Sequence, residues 1–380
     1  MSGPLDGLSV VELAGLGPAP FCGMVLADLG ADVIRVDRVD SAIGAHNTGS
    51  RHDLLNRGKR SIAVDIKREA GVKVVLDLVE ASHALIEGFR PGVTERLGLG
   101  PEPCLARNPT LTYGRMTGWG QEGPLSTTAG HDIDYIAVSG ALGSIGDAGT
   151  PVPPLNLVGD FGGGGLLLAL GVVSAVLAVK EGGQGQVVDA AMVDGSALLM
   201  TSHHGFLAEG WWVPQRASNP LDGGAPYYTT YATSDGRHMA VGAIEPHFYS
   251  ELLRVLGLDP TRLPAQNDRS GWPILRLEVA TRFATRTRDE WEQAFEGVDA
   301  CVAPVLDIAE AAAHPHNRAR GTFVDIDGIT QPGPAPRFSL TRPVVRHGPA
   351  YPGEHTTEIL ESLGYSPSEI GMLQRSQTVA

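Results

Sequence analysis

Residues 8–36, LSVVELAGLGPAPFCGMVLADLGADVIRV, decide the fold class. Residues 8–13 are a short run rich in β-formers. Gly15 and Gly17 make a tight turn. Residues 18–29 carry apolar side chains at helical spacing, and Gly30 follows as a helix stop. ADVIRV, residues 31–36, is then a second strand. Strand, helix and strand of these lengths form a β-α-β unit with a parallel pair.

Working outward, the pattern repeats. Residues 61–66 read as a strand, 69–81 as a helix, 84–89 as a strand and 111–116 as another. Such alternation predicts an α/β fold with a parallel sheet covered on both faces. A long apolar helix is expected over about 163–180. The run VVDAAMVDGSALLM, residues 187–200, begins as a strand and continues as a helix. The texture then changes. Residues 200–226 are rich in Gly, Pro and Trp and read as a connection. A hairpin around Ser234-Asp235-Gly236 spans 228–242, and helices follow near 247–256, 272–283 and 288–295. From Gly321 the chain is loop-rich, with a short helix near 358–363. The expected division is a large domain over 1–200, a linker over 201–225, a small domain over 226–315, and a linker and C-terminal segment over 316–380.

Composition narrows the function classes. The 380 residues, 42% of them hydrophobic, suffice for one large core or two. A formal net charge of -14 argues against a nucleic-acid surface but leaves room for a local basic pocket holding a small anion. Cys22, Cys104 and Cys301 are an odd, widely spaced set, unlike a disulfide framework or a zinc site. They read as reduced core thiols, and so as a sign of a cytoplasmic protein. The opening residues lack the basic-then-apolar pattern of a signal peptide. The apolar stretch 161–179 opens with glycines and becomes strongly apolar only at Leu166, so it reads as a buried helix rather than a membrane span.

Several residue groups are candidates for chemistry. Gly15, Gly17 and Asp37 approach a dinucleotide fingerprint, but Pro20 stands where a third glycine belongs, and a plain β-α turn is the simpler reading. Arg38 and Arg90 follow strands, where ligands of open α/β sheets sit, and Arg57 and Lys59 lie in NRGKRSI before a strand. Guanidinium forks suit phosphate, although a single arginine is ordinarily solvated surface charge. His131 falls at a predicted helix start in AGHDIDY, a place that stabilises negative charge and equally suits a capping residue. Asp160, in NLVGDFG, is either an N-cap or a carboxyl in a water-poor pocket with a raised pKa. Glu245, in GAIEP, is a turn residue unless it reaches His131.

These pieces, in this order, resemble the family III CoA transferases, and within them the α-methylacyl-CoA racemase branch. The resemblance is carried by DLGADVIRVDR (28–38), NRGKRSIAVDIK (56–67), GFRPGVTERLGLGP (88–101), MTGWGQEGP (116–124), AGHDIDY (129–135), PPLNLVGDFGGGG (153–165), GQVVDAAMVDG (185–195), LDGGAPYYTTY (221–231) and VGAIEPHFY (241–249). It implies a Rossmann-like large domain and a small α+β domain in an intertwined homodimer, with the C-terminal segment returning to the large domain. It also implies an acyl-CoA substrate, with Arg38, Arg57, Lys59 and Arg90 around the CoA moiety. His131 and Asp160 would be the acid and base, Glu245 would orient His131, and the backbone N–H of Asp132 would meet an enolate oxygen. No metal, nicotinamide or flavin is implied, nor any nucleic acid or membrane partner. The expected activity is inversion of a 2-methylacyl-CoA at its α-carbon. The alternative is CoA transfer between acids, with Asp160 as nucleophile.

Overall fold

A computed structural model describes residues 3–42 and 51–380. Six strands form one sheet: β1 (Ser9–Leu13), β2 (Asp32–Asp37), β3 (Arg60–Ala63), β4 (Ala84–Glu87), β5 (Thr112–Thr117) and β6 (Gln186–Ala191), in the order β3-β2-β1-β4-β5-β6. Every neighbouring pair is parallel. The α/β expectation is therefore met.

Strand periodicity explains how one sheet supports two apolar layers. Val11, Ile34 and Leu85 belong to one core, with Leu78 and Val79 of helix α2 (Glu69–Glu80). Their neighbours Val10, Val33, Ala84 and Ile86 belong to the other, with Cys22 and Leu26 of α1 (Pro18–Asp28). Successive residues of a strand point to opposite faces, so both faces need apolar side chains and the strands lose polar alternation.

Three further helices complete the part that concerns function: α3 (Asp132–Val138), α4 (Leu166–Lys180) and α5 (Met192–Leu199). The expected helix at 163–180 begins differently. Residues Leu157–Gly165 wind as a π-helix before α4 takes over. The segment Leu157–Lys180 is long and apolar enough to cross a membrane. In this fold α4 instead packs on β5, β6 and α1.

The chain divides into two compact units. The first holds Met1–Ser139, Leu155–Leu199 and Gly321–Ala380; the second holds Gly140–Pro154 and Met200–Arg320. In the first, the chain end lies at the sheet edge: the Asp65 N–H donates to the Thr378 carbonyl at 2.8 Å, and Ile359, Leu360 and Val379 enter a core. The second is built on an antiparallel sheet, β7 (Tyr228–Ala232), β8 (His238–Gly242) and β9 (Val302–Pro304), around Trp272, Phe283 and Trp291.

Some local expectations fail for identifiable reasons. Helix Thr201–Ala208 occupies part of the expected connection; it buries no residue, so it shows no apolar stripe. Helix Pro367–Arg375 was hidden by its polarity, although the Glu369 N–H donates to the Ser366 hydroxyl in a capping box. Cys22 and Cys104 are buried thiols as expected, but Cys301, just before β9, is exposed with φ 52.

Candidate active site

Strand order fixes where a ligand can enter. The chain runs outward from β1 through β2 to β3, then resumes on the other side of β1 with β4 and β5. Connections leave β1 and β4 in opposite directions, opening a crevice at their carboxyl ends. Two cavities of the first unit lie there. One, of about 450 Å³, is lined by residues including Gly17, Arg90, Trp119, His131, Asn156 and Asp160. The other, of about 460 Å³, includes Leu13, Val36, Arg38, Lys67, Val93 and Arg96. Phe89, just after β4, lines both.

His131 is held by the start of α3. It is the N-cap, and its backbone N–H donates to Asp134 Oδ2 at 2.9 Å. Tyr135 secures the same turn by donating its hydroxyl to the Gly130 carbonyl, and its ring meets Trp119 edge-on at 4.8 Å. The imidazole is left exposed on the cavity wall. Asp132 opens the helix, so its backbone N–H has no intrahelical acceptor. Its side chain, by contrast, is buried.

Asp160 sits in the π-helix, a winding that recurs at functional sites. It is half-buried, and burial pushes its carboxyl above the usual carboxylate range. The nearby Asp132 charge adds to that shift, while Asn156 and His131 oppose it. Asn156 Nδ2 donates to Asp160 Oδ2 at 3.0 Å. Gly17, at φ 68, leaves room for this carboxyl: a Cβ there would lie 3.3 Å from Asp160 Oδ2. Thus the structure brings His131 and Asp160 to one cavity. Glu245 belongs to the second unit, exposed as N-cap of helix Pro246–Leu256.

The basic residues divide. Arg38 is 72% exposed and, among the described residues, pairs with Asp40 at 3.3 Å, a surface pair of small energy. Arg90 is exposed on the wall shared with His131. Arg57 and Lys59 line neither cavity and are paired within the fold. Lys59 Nζ is buried and donates to both Glu12 oxygens at 2.9 and 2.7 Å and to the Pro20 carbonyl at 2.9 Å. Arg57 donates to both oxygens of Asp28 at 3.1 and 2.6 Å. Both cations are spent inside the fold, tying β1 and α1 to the turn before β3.

Sequence reasoning missed Lys67, Arg96, Asn156 and the dual position of Phe89. All four lie inside the quoted segments, yet none has a distinctive local pattern. Among the described residues, no cluster of three or more His, Cys, Asp or Glu is arranged to hold a metal ion.

A family model described as CoA-transferase family III matches residues 5–356. The chain belongs to CoA-transferase family III. It is 49% identical to the α-methylacyl-CoA racemase of Mus musculus over 379 residues, covering 99% of this chain and 97% of the relative. It is 47% identical to the enzyme of the same name from Homo sapiens over 381 residues, again 99% and 97%. Among solved structures, a CAIB/BAIF family protein from Brucella suis matches with a TM-score of 0.82 at 27% identity, covering 96% of this chain and 100% of that one.

Proposed function

We propose that the chain is an isomerase that interconverts the (2R) and (2S) forms of 2-methylacyl-CoA thioesters. One observation carries this: an imidazole and a half-buried carboxyl with raised proton affinity, His131 and Asp160, line the same cavity of a family III fold. The α-hydrogen of a thioester is weakly acidic, and its removal gives an enolate. Inversion then needs a second proton carrier on the opposite face.

In one direction the Asp160 carboxylate takes the α-proton and the His131 imidazolium returns one to the other face. In the reverse direction neutral His131 takes it and the Asp160 carboxylic acid returns it. Either way the pair holds one proton between its members. The enolate oxygen lies against the Asp132 backbone N–H, where a preorganised donor contributes about 3–4 kcal/mol. CoA belongs to the substrate, and the chemistry needs no metal or redox cofactor. Arg38, Lys67 and Arg96 around the apolar second cavity suit the phosphorylated nucleotide end, with Phe89 and Arg90 between it and the thioester.

The working form is a dimer of this chain, in which Glu245 of a second copy orients and charge-matches His131. Three leucines of α4, Leu166, Leu170 and Leu177, are 48%, 62% and 59% exposed along one face, which supports a self-partner. The setting is cytoplasmic, with neither nucleic acid nor membrane as partner.

The test is solvent-deuterium incorporation at C2 of 2-methylacyl-CoAs without any acceptor acid. Wash-in that tracks racemisation is expected, and His131→Ala abolishes it while CoA still binds. A strict requirement for an acceptor carboxylate would instead make Asp160 the nucleophile of a CoA transferase.

A further inference from the structure

Resting on the racemase assignment above, we infer that the side chain of Asp132 is a positioning residue that locks the two proton carriers into one unit and sets a second negative charge beside the Asp160 carboxyl. Asp132 follows His131 in the chain, and its carboxylate Oδ1 accepts the backbone N–H of Asp160 itself at 2.7 Å. One peptide link and one hydrogen bond therefore join the backbones of the two carriers. A charged acceptor makes such a bond shorter and stronger than a neutral one. Asp132 is only 7% exposed, so little water competes for it.

The surroundings leave this bond little freedom. A Cβ at position 159 would stand 2.5 Å from Asp132 Oδ1 and 3.2 Å from Ile136 Cγ2, so Gly159 lets the π-helix press onto α3. That close approach brings a second negative charge near the Asp160 carboxyl. The titratable groups acting on Asp160 are Asp132 and His131, with Tyr135 coupled to it from the same helix. Asp132 opposes ionisation of Asp160, and His131 favours it. Asp132 touches no reacting atom through its side chain. It acts through the position and charge state of Asp160.

Two substitutions separate position from charge. Asp132→Asn keeps an oxygen acceptor for the Asp160 N–H and removes the charge. Asp132→Ala removes both. In wild type, exchange at C2 should follow a bell-shaped pH profile. Asp132→Asn should retain exchange within about tenfold, with its acid limb moved to lower pH, because Asp160 loses the charge that opposes its ionisation. Asp132→Ala should lose at least about tenfold in kcat, since a small displacement of one carrier is costly. CoA binding should be unchanged in both.

A second readout needs no turnover: the Asp160 carboxyl is titrated by ¹³C resonance in the full-length chain, assigned by its loss in Asp160→Asn. The Asp132→Asn titration should move to lower pH. Superposable profiles and carboxyl titrations in wild type and Asp132→Asn would overturn the inference, even if Asp132→Ala fails to fold. Absence of exchange in wild type would instead overturn the racemase assignment, leaving the carboxyl titration to judge Asp132.

Discussion

Arg115 Nε donates to Oε1 of Glu87 at 3.0 Å, and the same guanidinium reaches Glu95 Oε1 at 2.7 Å. Glu87 ends β4, Glu95 lies past the loop, and between them stand Phe89 and Arg90 of the cavity walls. The other Glu87 oxygen accepts the Phe89 N–H at 2.6 Å. One buried arginine thus sets the loop that bounds both cavities. Burial pushes Glu87 up to about 7, against the Phe89 N–H and the Arg115 charge. Unfolded, this carboxyl titrates in the ordinary range near 4.5. Between those values the unfolded chain is ionised here while the folded chain holds a proton. The group's stabilisation is therefore complete below about 4.5 and disappears as pH rises through about 7. Glu87→Gln lacks this dependence. Denaturant unfolding of both proteins should show the wild-type advantage shrinking by about 2–3 kcal/mol across that window. Parallel stability curves would refute the assignment.

Lys59 tests a different division, between holding the fold and holding the ligand. Its ammonium and the Glu12 carboxylate are both buried. Lys59→Met leaves Glu12 uncompensated, which costs about 3–5 kcal/mol in buried pairs. The loss should appear as a lowered thermal midpoint, with CoA affinity of the folded protein unchanged within about twofold. A large drop in CoA affinity at unchanged stability would make Lys59 a ligand contact.

The contrast between Lys59 and Arg38 shows what the sequence could carry. The β-α-β signal of residues 8–36 was legible because helix and strand periods differ and glycine marks the turn. Loop positions after strands located the Arg38 and Arg90 surroundings for the same topological reason. Nothing in NRGKRSI distinguishes a buried cation from a bound one, because that depends on Glu12 and Asp28 reaching across from β1 and α1. The π-helix was equally invisible: a glycine-rich helical start is compatible with either winding until Asp132 and Gly159 meet. The chemistry of Asp160 was suggested by its apolar neighbours. Its partner Asn156 was not, since a hydrogen bond across one turn leaves no compositional trace.

Asn156 gives a signed prediction. Its amide donates to Asp160 Oδ2 and holds the carboxyl down against burial. Asn156→Ala should therefore raise the Asp160 pKa further and move the acid limb of the exchange profile to higher pH. Stability should change little, because Asn156 is exposed. Near neutral pH, kcat/KM should fall, by about tenfold if the lost bond also serves the transition state, at roughly 1.4 kcal/mol per decade. An acid limb that stays in place or moves the other way would deny Asn156 this role.

The exposed leucines of α4 offer a test of whether assembly and catalysis are linked. Leu170 and Leu177 are 62% and 59% exposed, lie on one helix face, and each would contribute about 1.5–3 kcal/mol if an interface buried it. Glutamate at both positions puts two charges into such an interface while leaving the buried side of α4, with Leu168 and Val172, untouched. Leu170→Glu/Leu177→Glu should therefore sediment as a monomer with native far-ultraviolet circular dichroism. If Glu245 reaches His131 only from a second copy, that monomer should lose exchange at C2 by at least about tenfold while still binding CoA at the sheet crevice. A monomer with wild-type exchange would separate assembly from chemistry and remove Glu245 of the second copy from the mechanism. A variant that stays dimeric would place the interface on another face.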